Sequence, residues 1–73
     1  MLKIKDNVSI ETLKQFGFDG FKNYQLDDIG SQIYIVDNKI CLEFDFCAIN
    51  EDCAKRAMEL IFELTKANLI EKN

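Results

Sequence analysis

Gln32-Ile33-Tyr34-Ile35-Val36-Asp37-Asn38-Lys39-Ile40-Cys41-Leu42-Glu43-Phe44-Asp45-Phe46 is the stretch that decides how this chain folds. Two runs rich in β-branched and aromatic side chains flank Asp37-Asn38, a pair that tolerates the positive φ of a two-residue hairpin loop. Such a loop sets Ile35 opposite Ile40 and Ile33 opposite Leu42. The second run alternates, with Ile40, Leu42, Phe44 and Phe46 on one face and Cys41, Glu43, Asp45 and Cys47 on the other. One face is then core and the other wet, as in an antiparallel sheet covered on a single side.

On the C-terminal side, Asn50 is a natural N-cap, and Glu51 and Asp52 follow where the helix dipole favours anions. At 100° per residue, Asp52, Lys55, Arg56, Glu59, Glu63 and Lys66 share one face, while Ala54, Ala57, Met58, Ile61 and Leu64 lie opposite. This pattern predicts an amphipathic helix over 51–67. Leu60 and Phe62 widen its apolar arc to roughly 200°, more than one three-stranded sheet covers. The tail Asn68-Leu69-Ile70-Glu71-Lys72-Asn73 carries two more large apolar side chains and could pair as a short strand with Leu2-Lys3-Ile4-Lys5.

Toward the N-terminus, Ser9 is placed to cap a short helix over 10–16, with Val8 able to staple against Leu13 and Glu11 in the first turn. Gly17 suits the left-handed position after that helix, with Phe18 packing back on Leu13. Two helical turns are marginal alone, so Ile10, Leu13, Phe16 and Phe18 must hold them by packing. Residues 21–26 form a third strand candidate with Tyr24 and Leu26 on one face, and Asp27-Asp28-Ile29-Gly30-Ser31 has the composition of a turn. The expected architecture is therefore α+β over 1–73: a short N-terminal helix and a three-stranded antiparallel sheet, with a long C-terminal amphipathic helix packed on one face of the sheet.

Composition narrows the function. The 73 residues carry a formal net charge of −4, which argues against a protein that holds nucleic acid by neutralising phosphates. There is no histidine, the side chain most used for general acid–base chemistry and metal ligation near neutral pH. No apolar run approaches the roughly 18 residues of a membrane span, and no apolar leader opens the chain, so the expected compartment is the cytoplasm. Cys41, Cys47 and Cys53, spaced C-x5-C-x5-C, are odd in number and read as reduced thiols. They lack the paired knuckles of a zinc site. Cys41, Glu43, Asp45 and Cys47 share a strand face but diverge, and read as a solvated surface. Only Cys53, in the first turn of the main helix, has a setting that could lower a thiol pKa, but its place between the polar and apolar faces points to partial burial instead of reactivity. Asp27-Asp28 before Gly30 and Ser31 lacks the alternating oxygen ligands of a calcium loop.

The two ends of the chain resemble a known group. Ile4-Lys5-Asp6-Asn7-Val8, then Leu13-x-x-Phe16-Gly17-Phe18, and the closing Leu64-Thr65-Lys66-Ala67-Asn68-Leu69-Ile70-Glu71-Lys72 resemble small phage and prophage proteins of low-GC Gram-positive bacteria. The likeness covers about a third of the chain and implies kinship without transferring any catalytic residue. A short chain without disulfide or metal staples, and with surplus apolar helix surface, is expected to complete its burial across an interface. The sequence thus points to a non-enzymatic protein–protein interaction module without cofactor, first of all a homodimer, with an accessory phage role against another protein. The candidate interface is Leu60, Ile61, Phe62, Leu64, Leu69 and Ile70. Two rival expectations are an acidic nucleic-acid mimic that inhibits a host enzyme, and a thiol- or metal-dependent sensor built on the cysteines.

Overall fold

A computed structural model of the chain describes residues 2–28, 30–43 and 51–72. Its elements run β1 (Leu2–Ile4), α1 (Ile10–Lys14), β2 (Asn23–Gln25), β3 (Gln32–Val36), β4 (Lys39–Glu43), α2 (Glu51–Lys66) and β5 (Ile70–Lys72). The α+β class and the long C-terminal helix are as expected. The sheet is not three-stranded: it has five antiparallel strands in the order β2-β3-β4-β1-β5.

The hairpin has the expected register, with Ile33 opposite Leu42 and Ile35 opposite Ile40. Asp37 and Asn38 take φ of 51° and 65°, the doubly positive pair of a type I′ turn whose twist matches that of the strands. The expected continuation of this alternation through Phe44 and Phe46 lies outside the described residues, as does the Asn50 cap.

Both termini supply the two additional strands, and they pair with each other as expected, Leu2–Ile4 antiparallel to Ile70–Lys72, but within the same sheet as the hairpin. Ile4 lies opposite Ile70, and both are buried. The Ile4 N–H also donates to the Asn38 carbonyl at 2.7 Å, which lays β1 beside the hairpin turn. On the outer face Lys3 sits opposite Lys39, a like-charge pairing. The Lys3 ammonium is drawn instead to Asp6 at 3.3 Å and Glu71 at 3.5 Å, and the Asp6 hydrogen bond is the main reason its pKa rises.

The N-terminal helix is present but its regular part stops at Lys14, two residues before the expected end. Its last turn is tightened: Phe16 and Gly17 N–H groups bond the Leu13 and Lys14 carbonyls, each three residues back, at 3.0 Å. Ser9 caps it as expected, accepting from the Thr12 N–H at 3.3 Å. Gly17 has φ of +104°, and Phe18 N–H reaches back to the Leu13 carbonyl at 3.3 Å. Strand β2 is shorter than the expected 21–26 because a turn precedes it. The Asp19 carboxylate accepts from the Phe21 and Asn23 N–H groups, and Lys22 between them has φ of 63°.

One apolar cluster joins the elements. Ile4, Leu26, Ile33, Ile35 and Ile70 from the sheet side meet Leu13 and Phe18 from α1 and its cap, and Ala57, Leu60 and Leu64 from α2. The C-terminal end of α2 closes through Asn68, at φ of 62°, with Leu69 N–H bonding the Leu64 carbonyl at 3.0 Å. That left-handed residue turns the chain back into β5.

Candidate interaction surface

Helix α2 has more apolar surface than the sheet receives. The buried side chains Cys53, Ala57, Leu60 and Leu64 recur at intervals of four, three and four residues and occupy an arc of about 60°. Ile61 adds a half-buried edge. The rest of the apolar arc turns away from the core: Ala54 is exposed, Met58 is 71% exposed and Phe62 58%. Leu42 of β4, 52% exposed, adjoins this stripe across a shallow hollow of about 290 Å³ that Met58, Ile61 and Phe62 also line. A second hollow of about 540 Å³ runs along the outer side of the stripe, between Ala54, Met58 and Phe62 and the flanking Glu51, Lys55 and Glu63. The Lys66 ammonium stands 5.8 Å from the Phe62 ring centroid, so a cation covers part of the aromatic face.

The residues singled out from the sequence divide sharply. Leu60, Leu64 and Ile70 belong to the chain's own core, at 6%, 0% and 9% exposure. Ile61 and Leu69 are half-buried against it, and Phe62 is the member left outside. Met58 and Leu42 complete the exposed patch and were not among those six. Met58 was legible as part of the apolar helix face. The strand alternation places Leu42 on the covered sheet face, and it does point to the helix side, but α2 leaves it half uncovered.

The cysteines do different things. Cys41 is half-buried on β4, its thiol 3.8 Å from the Lys39 carbonyl, and the neighbouring Glu43 accepts from the Gln32 amide at 3.1 Å. Asp45 and Cys47 lie outside the described residues. Cys53 is buried, and its thiol donates to the Asp27 carboxylate at 2.9 Å. The other oxygen of Asp27 accepts from the Gly30 and Ser31 N–H groups at 3.0 and 3.1 Å. Arg56, one turn along α2, donates to the Leu26 carbonyl. These bonds strap the start of α2 to the segment that follows β2.

The Asp27 hydrogen bond, then burial, raises the Cys53 thiol pKa; the Ser31 hydroxyl and the Arg56 charge oppose this more weakly. The helix N-terminus that could have activated this thiol is outweighed by a carboxylate, so the group stays protonated near neutral pH. Among the described residues no group of three or more Cys, Asp or Glu side chains is placed to hold a metal ion. None of their helices is long and apolar enough to cross a membrane. Comparisons with protein-family models, with curated proteins and with solved structures find no match.

Proposed function

We propose that the chain is a non-catalytic protein–protein interaction module that works in the cytoplasm as a homodimer, an accessory protein of the phage or prophage kind its ends resemble, with another protein as its target. The observation that carries the interaction reading is the unburied half of α2. Met58 and Phe62, with Leu42 beside them, form a contiguous apolar patch rimmed by charged side chains, the anatomy of an interface core with a polar rim. The phage association rests on the terminal motifs alone.

The rival readings find less support. A nucleic-acid mimic needs carboxylates gathered on one surface, whereas Lys55, Arg56 and Lys66 interleave with Asp52, Glu59 and Glu63 along α2. A thiol sensor needs a thiolate, and the Asp27 bond holds Cys53 in its neutral form. The test is light scattering on size-fractionated protein. The wild-type chain is expected at twice its 8.5 kDa mass at tens of micromolar, and Phe62→Lys at the monomer mass with an unchanged circular dichroism spectrum. Equal masses for the two proteins would remove the patch from the account.

A further inference from the structure

The charges beside the α2 stripe select among possible occupants. Glu51 and Lys55 flank the stripe in its N-terminal half, Glu63 and Lys66 in its C-terminal half, and Glu59 lies between. A second copy laid parallel would set each of these charges beside its own equivalent, which is repulsive at every position. An antiparallel copy reverses that relation. With the twofold axis between Met58 and Glu59, Lys55 comes opposite the partner's Glu63 and Glu51 opposite the partner's Lys66, and symmetry makes each pair twice. The bulky Phe62 of each copy then faces the partner's Ala54, the smallest side chain of the stripe, and the two Met58 side chains meet at the axis. Opposed helix dipoles favour the same orientation.

The geometry points to a second copy of this chain as the occupant of the patch, packed α2 against α2 in antiparallel sense about that axis; this rests on the homodimer reading above and assigns its surface. One contact in the arrangement is unfavourable: Glu59 lies beside the partner's Glu59.

Charge reversal tests it, because Lys55 and Glu63 are exposed and their substitution leaves the core untouched. Lys55→Glu alone and Glu63→Lys alone each turn two attractive pairs into repulsive ones, and each is expected to raise the dimer dissociation constant about tenfold in sedimentation experiments. An equimolar mixture of the two variants restores opposite charges at both places and is expected to associate as tightly as wild type. Glu59→Gln is expected to associate more tightly than wild type. If both single variants dimerise like wild type, or the mixture associates no better than either alone, the antiparallel α2 interface is wrong while the homodimer reading stands. A wild-type chain that stays monomeric at about 100 μM overturns both.

Discussion

Gly17 carries two constraints in one residue. Its φ of +104° is left-handed, and a Cβ there would lie 2.7 Å from the Tyr24 ring, which in turn stacks edge-on against Phe18 at 5.6 Å. Gly17→Ala is therefore expected to lower stability by about 2 kcal/mol, read as a fall in the thermal midpoint. The backbone half of that constraint was legible, since glycine after a short helix signals a left-handed cap. The approach of Tyr24 was not, because it depends on where β2 returns. Cys53 shows the same division. Its place in the first helical turn could be read locally, but its partner Asp27 is 26 residues away in sequence. A thiol whose folded pKa is raised stabilises the fold fully below its ordinary value of 9.0 and loses that contribution as pH rises through the higher folded value. The urea midpoint of wild type is accordingly expected to fall more steeply than that of Cys53→Ala as pH rises from about 8 to 10. Parallel curves for the two proteins would show that the Asp27 bond does not control this titration.

Strands β3 and β4 could be read with their register because the information is local: a turn that accepts positive φ, and alternation on either side of it. The apolar residues at the two chain ends point to the pairing of β1 with β5, which the structure has; strands of three residues are too short to show a period, so their joining to the hairpin in one sheet could not be read. What makes them strands is the burial of Ile4 against Ile70, not intrinsic propensity. Ile70→Ala is expected to cost about 3 kcal/mol by chemical denaturation, and a loss below about 1 kcal/mol would show that β5 is an appendage of the fold. Among the described residues the two sheet edges, β2 and β5, present three residues apiece, a device that limits strand addition from other chains. Such short edges leave the exposed apolar stripe of α2 as the surface for a partner.

At the scale of the whole molecule, the wide apolar arc of α2 was read correctly from the sequence as more than its sheet could cover, but the side facing inward was not. The expected arc, from Leu60 to Phe62, is centred on Ile61, whereas the sheet receives Cys53, Ala57, Leu60 and Leu64, so the buried face is rotated by about 70°. Helical periodicity fixes relative angles only; the absolute rotation is set by the packing partners, two of which, β1 and β5, were not in the expected sheet. The consequence is that five of the six candidate interface residues, Leu60, Ile61, Leu64, Leu69 and Ile70, pack in or against the monomer's own cluster, and the surface left for a partner is Met58, Phe62 and Leu42. This surface is proposed to close against a second copy. Sedimentation equilibrium of the wild-type chain between about 1 and 100 μM tests it most directly. The weight-average mass is expected to rise reversibly from the 8.5 kDa of the chain toward twice that value, and a mass that stays at 8.5 kDa throughout rules the dimer out.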